Sequence, residues 1–310
     1  MSTPAPNVAV REKTGAALLS VASNSILIAL KLAAGAITGS IAIITEALHS
    51  SIDLMASVIA LVSVRKAGEP ADTDHPYGHE KLENLAAAIE GMLILVGAGI
   101  VIFEAVRRLG SEPELKHLGV GMGVIAFSVL ANVLVSTYIG RQAAKHDSAA
   151  LEGDAAHLRA DAMTSFGVLI GLLVVDATGT AELDAVIALV VAAAIVYSGL
   201  RILTRSSRVL VDEVLPDEEL TRIDLAIARA RTPEVKGYHK LRARRAGSRR
   251  HIDLHLQFAT GTTLEQAHAT AHAVQDAIEI ELSKADVLIH VEPESSARPP
   301  GPEEGHSWRW

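Results

Sequence analysis

The sequence contains no cysteine, which excludes disulfides and thiolate metal ligands. Any metal bound here is therefore held by histidine nitrogen and carboxylate oxygen. Aromatic residues are scarce, at 3%, so no aromatic belt marks where apolar segments would meet lipid headgroups. Positive charge is also in deficit, with 28 Lys and Arg against 36 Asp and Glu, a formal net charge of -8. That balance excludes nucleic acid as a partner, because a binder needs a basic stripe to displace counterions. The one dense basic stretch, Arg242 to Arg250, is short and falls between expected strands. Met1 to Val10 has no positive charge, and the apolar run that follows is too long for a signal-peptide core. It is expected to be a first spanning helix.

What the chain has in abundance is apolar residues, 49% of 310, with a mean hydropathy of +0.30. This exceeds what a soluble protein of such length needs, and the excess has to face lipid. Runs near the roughly 20 residues that cross a bilayer fall at Ala16 to Ile37, Ser40 to Lys66, Leu82 to Leu109, Leu118 to Gly140, Leu151 to Val175 and Leu183 to Leu203. Short connections at Thr38-Gly39 and Asp176 to Glu182 make sequential helices antiparallel. Arg11, Lys13, Arg65, Lys66, Arg141, Lys145, Arg201, Arg205 and Arg208 then fall on one side, which is expected to be cytoplasmic with both termini. Arg107, Arg108 and Lys116 fall on the other side.

Beyond Asp212 the pattern changes to a helix, two alternating runs at Val235 to Arg245 and His251 to Ala259, a helix from Thr263 to Leu282, and a strand from Val287 to Val291. The expected architecture is an all-α six-helix membrane bundle followed by a cytoplasmic α+β domain of αββαβ order, ferredoxin-like in class. The expected divisions are an N-terminal cytoplasmic segment at 1–12, a transmembrane domain at 13–208, the cytoplasmic domain at 209–294 and a disordered tail at 295–310, with Trp308 and Trp310 as a candidate anchor.

An internal echo points to function. His49-Ser-Ser-Ile-Asp53-Leu-Met55-Ala-Ser57 in the second run is matched by His157-Leu-Arg-Ala-Asp161-Ala-Met163-Thr-Ser165 in the fifth. Both read H-x-x-x-D-x-M-x-S, on helices expected to run in opposite directions. Residues four apart share a helix face, so His49 lies beside Asp53 and His157 beside Asp161. Inverted polar segments facing each other are how many transporters build a central site. Two imidazoles and two carboxylates supply a tetrahedral shell suited to zinc. The other reading, of hydrogen-bonded polar groups at helix ends, must account for two carboxylates kept in matching contexts at a cost of at least about 2.5 kcal/mol each.

Two carboxylates offset the double charge of a divalent ion, and an emptied site would leave two negative charges in a low dielectric. Proton uptake relieves that state, so metal-proton antiport is expected. Two readings from other classes stand beside it: a membrane-embedded metalloenzyme and a membrane-anchored metal sensor. Four ligands leave no open position for water, no nucleophile motif or separate general base is present, and six spans exceed what an anchor needs. The chain is expected not to be an enzyme.

These motifs, with the loop Pro70 to Glu83 and the segment Val211-Asp-Glu-Val-Leu-Pro-Asp-Glu-Glu219, resemble those of cation diffusion facilitator transporters over almost the whole chain. The resemblance implies a homodimer in the inner (plasma) membrane, a metallochaperone-like cytoplasmic domain, and zinc export by proton exchange. Histidine at both leading positions resembles zinc-preferring members, with cadmium, cobalt, iron and manganese as alternatives. It also implies a second metal at Asp72 and His79 with His75 nearby, a pairing of Lys81 with Asp212, and further metal binding at His239, His255, His268 and His290 with Glu292. Lys240 departs from the family pattern, since an acidic residue is often found there, and a cation beside the site opposes metal. Among other polar residues in the spans, Glu46, Glu90 and Lys31 are functional hints by default, Glu104 is expected to pair with Arg107 or Arg108, and Asn24, Asn132, Gly91, Gly97 and Gly99 are assigned to helix packing.

Overall fold

A computed structural model describes residues 8–38, 41–108, 119–178, 182–296 and 308–309; the side chains at 41–49, His49 included, lie outside the described residues. The chain divides into two compact units, Met1–Arg208 and Val209–Trp310.

The first unit is built of α1 (Val8–Thr38), α2 (Ile41–Ala67), α3 (Lys81–Arg108), α4 (Gly119–His146), α5 (Ala149–Thr178) and α6 (Glu182–Leu210). These are the six expected helices, most of them extended by several residues at one or both ends. Among the described residues, Val8–Ala34, Lys81–Arg107 and Ala185–Leu210 are long and apolar enough to cross a membrane on composition alone. Helix α5 carries Asp154, His157 and Asp161 within its length, which lowers its apolar character.

The helices alternate in direction. The start of α1 pairs with the end of α4 through Glu12 with Lys145 and His146, and the end of α2 meets the start of α3, where Ser63 Oγ donates to the Leu82 carbonyl at 2.6 Å. Small residues make the contacts close, as lipid-embedded helices require. Ala16, Ala17, Ala86, Ala143, Ala150 and Ala155 join Leu61, Ile139, Leu151 and Leu158 in one cluster across α1 to α5. At Gly91 a methyl group would stand 2.9 Å from the Leu203 backbone nitrogen, so only glycine lets α3 approach α6 there.

The second unit holds α7 (Asp217–Ala230), β1 (Val235–Ala246), β2 (Arg249–Phe258), α8 (Leu264–Glu281) and β3 (Ala285–Pro293), with a two-residue strand β4 (Trp308–Arg309). Sheet order is β3-β2-β1-β4, with β1 antiparallel to β2 and β2 parallel to β3. The αββαβ order is as expected. Within the segment expected to be a disordered tail, β4 pairs with β1 at Tyr238 and His239; residues 297–307 and 310 lie outside the described residues. The alternation of β2 puts Ile252, Leu254 and Leu256 into a core with Ile223, Ile227, Val274 and Ile278 from the two helices. A capping box at Thr263 and Gln266 starts α8.

Candidate metal sites

The repeated motif places α2 and α5 face to face. His157 Nε2 lies 3.1 Å from Asp53 Oδ1 and 3.9 Å from Asp161 Oδ2. One ligand atom from each of the three falls within 4.8 Å of the other two, close enough to share one ion. Asp53 and His157 are buried, at 7% and 5% exposure, and Asp161 is half-buried. His49 occupies the preceding turn of α2 from Asp53, but its side chain lies outside the described residues.

Because α2 and α5 run in opposite directions, the two motif serines fall on opposite sides of this cluster. Ser165 lines a cavity of about 500 Å³ that also contains Asp53, His157 and Asp161. Its remaining lining comes from the later turns of α1 and α3, the middle of α5 and the first halves of α2, α4 and α6, so it extends away from the end where α1 begins. Lys31 shares that cavity, its Nζ donating to Ser50 Oγ at 2.7 Å, one turn from Asp53.

Ser57 lies toward the opposite end, in a closed polar network. It accepts from Asn24 Nδ2 at 2.8 Å, bonds Ser20 at 2.8 Å, and with Ser20 donates to Asp154 Oδ1 at 3.0 and 2.9 Å. Asn24 therefore has a specific polar partner beyond a packing role. Further toward that end, the buried Glu83 carboxylate takes both Lys13 and Ser148, tying α1, α3 and the start of α5 together. The side toward the start of α1 is thus sealed, while the cavity lies on the other side.

Two further clusters gather the other predicted ligands. In the α2–α3 loop, Asp72 Oδ1 is 3.1 Å from His75 Nδ1 and Asp72 Oδ2 is 3.3 Å from His79 Nε2, with the two rings 4.5 Å apart. The backbone N–H of His75 on Oδ1, helped by its ring and by Asp74 N–H, holds the Asp72 carboxyl below its ordinary value. Such a carboxylate stays ionised and available as a ligand.

In the second unit, Glu292 bridges His239 and His255, at 3.2 Å from His255 Nδ1, and accepts from Gln257 Nε2 at 3.1 Å. Burial pushes this carboxyl up, but His255, His239 and Gln257 outweigh it and hold it below the usual range. His290 lies with its ring 4.5 Å from His255, beside the three-residue cluster, whereas His268 pairs with His272 on the exposed face of α8 at 4.4 Å. Lys240, at φ 51, sits at a break in the β1–β2 register between His239 and Arg242, and its side chain is exposed. Asp212, for its part, accepts from Arg244 Nη1 at 2.9 Å. Both clusters offer imidazole and carboxylate donors of the kind zinc takes.

Asp154 stands outside the site residues expected from the sequence, and Lys13 enters there only as a marker of orientation. Asp154 carried a signal: it precedes His157 by three residues, on the same face of an apolar helix. Glu83 sat in a recognised loop motif, but nothing local shows that Lys13, 70 residues away, closes on it.

Comparison with known proteins agrees with this architecture. Residues 17–211 match the family profile described as the cation efflux transmembrane domain, and residues 215–294 that of the cation efflux protein cytoplasmic domain. The cation-efflux pump FieF of Serratia proteamaculans is 36% identical over 295 residues, covering 95% of this chain and 96% of that protein. A FieF pump of Yersinia pestis is 34% identical over 279 residues, covering 90% and 92%, and a Synechocystis transporter is 31% identical over 277, covering 89% of each. The solved structure of CzrB in its Zn form is 32% identical and spans 28% of this chain and 99% of that one, with a TM-score of 0.27. The relatives are transporters, not enzymes, and the chain belongs to the cation efflux, or cation diffusion facilitator, family of multi-pass membrane cation transporters.

Proposed function

We propose that this transporter exports zinc from the cytoplasm in exchange for protons, holding the ion between α2 and α5 with His49, Asp53, His157 and Asp161. The observation that carries the reading is the convergence of Asp53, His157 and Asp161 ligand atoms within 4.8 Å, in a buried position. His49 supplies the fourth ligand from the adjacent turn of α2, as the repeated motif requires. Imidazole nitrogen favours zinc over harder ions such as manganese.

With the ion bound, the site is electrically neutral; without it, two carboxylates remain in a low-dielectric bundle. Protonation at these same side chains restores neutrality and couples the return stroke to inward proton movement. Both termini face the cytoplasm in this reading, with the cavity facing outward. Residues 215–294 match the family's dimerisation-type cytoplasmic domain, and the protein works as a homodimer. The loop cluster of Asp72, His75 and His79 and the cluster of His239, His255 and Glu292 take additional metal, with His290 beside the second cluster and His268 on α8 as further donors.

Zinc flux into proteoliposomes under an imposed pH gradient tests the coupling. Flux should accelerate with a proton gradient opposed to zinc movement and slow when it is reversed. A rate indifferent to the gradient contradicts proton exchange.

A further inference from the structure

On the sealed side of the bundle, two buried carboxylates take no part in the cargo site. Glu90 is fully buried in α3, and neither of its carboxylate oxygens has a hydrogen-bond donor among the described residues. Asp154 is also fully buried; its Oδ1 accepts from Ser20 and Ser57, while Oδ2 has no donor among the described residues. Carboxylates inside a membrane bundle are costly, and leaving their oxygens without donors adds to the cost. Their retention calls for an occupant.

The two lie together. Gly153 brings α5 so close to α3 that a methyl group there would stand 3.1 Å from Glu90 Cβ and 3.2 Å from Ala87 Cα, so Glu90 packs on the residue next to Asp154. Of the other titratable groups, Asp154 acts most strongly on the Glu90 carboxyl, followed by His157, Asp161 and Asp53. Along α5, Asp154 precedes His157 by one turn, about 4.5 Å of rise. Along α3, Glu90 lies two turns inward from Glu83, which Lys13 and Ser148 already occupy. Glu90 and Asp154 thus stand between the Lys13–Glu83 seal and the Asp53–His157–Asp161 cluster.

We infer that Glu90 and Asp154 form a transit site for the divalent cation as it passes from the Lys13–Glu83 end of the bundle to its intramembrane ligands. Glu90 and Asp154 Oδ2 supply the carboxylate oxygens, and the Ser20 and Ser57 hydroxyls stand beside them as neutral donors. This donor set is all oxygen. Zinc binds oxygen alone less tightly than a set with imidazole nitrogen, so an ion here moves on to His157 without being trapped. The inference rests on the proposed cargo site and on entry from the sealed end.

The test is zinc flux by the full-length protein in proteoliposomes, with equilibrium zinc binding and thermal unfolding measured on the same preparations. Glu90→Gln and Asp154→Asn should each raise the KM for zinc about tenfold while leaving equilibrium zinc affinity and Tm as in the wild type. Glu90→Asp, which keeps the carboxylate, should recover much of the loss. Wild-type KM in both variants overturns the transit site, and so does a parallel loss of affinity and KM, which would place these residues in the cargo shell or its support. Should Tm fall instead, Glu90→Asp decides: a KM equal to that of Glu90→Gln at wild-type Tm overturns the proposal. Zinc flux through Asp161→Asn, run alongside, separates the two claims, because an active Asp161→Asn overturns the cargo site itself.

Discussion

His157 Nε2 lies 3.1 Å from Asp53 Oδ1, across 104 residues of chain and on a different helix. Both side chains are buried, and the contact joins α5 to α2. Removing a metal ligand should cost at least the 10–100-fold typical of an outer-shell partner. His157→Asn should therefore weaken zinc binding by about 100-fold or more, read by calorimetry in detergent, with the helical content unchanged.

In the proposed cargo shell, selectivity rests on the leading residue of the α2 motif. A carboxylate at that position coordinates through one or both oxygens and accepts a wider range of ionic radii than a single imidazole nitrogen. His49→Asp should raise the ratio of cadmium to zinc uptake in proteoliposomes. An unchanged ratio would remove His49 from the cargo shell.

In the second unit, Glu292 gives a pH signature. Its folded-state carboxyl is held below the ordinary value, so its contribution to stability is present above the unfolded glutamate pKa and is lost as pH falls through the lower folded one. Thermal unfolding in chelator should show Glu292→Gln less stable than wild type at pH 7. The gap should close as pH drops below the usual carboxylate range.

Helix contact makes a sharper steric prediction. A methyl group at Gly91 meets the Leu203 backbone nitrogen at 2.9 Å, whereas one at Gly97 meets nothing within 4 Å. Gly91→Ala should destabilise the solubilised protein by about 1–3 kcal/mol, the usual cost of overpacking. Gly97→Ala should leave Tm unchanged within error.

Much of this arrangement was legible in the chain. Six apolar runs gave the six helices because the bilayer fixes both their length and their composition, and alternation in β2 gave its core face through Ile252, Leu254 and Leu256. The H-x-x-x-D echo foretold that α2 and α5 meet, since neither helix could bury its carboxylate alone. Other relationships depend on contacts between distant helices and leave no local pattern. Lys13 resembled any basic residue at a helix start until Glu83 closed on it, and Asn24 resembled a packing residue until Ser57 proved to be its partner. Within one chain His268 lies with His272 on α8 and is not among the three residues whose ligand atoms come together, His239, His255 and Glu292.

The central claim is that one dehydrated divalent ion crosses the bundle between α2 and α5. Zinc flux through Asp53→Asn and Asp161→Asn, reconstituted at wild-type density and verified as folded dimers, tests it most directly. The account predicts that each variant loses transport by two orders of magnitude or more, on the order of the roughly 2.7 kcal/mol that a 100-fold loss represents. Either variant moving zinc at more than half the wild-type rate would contradict it.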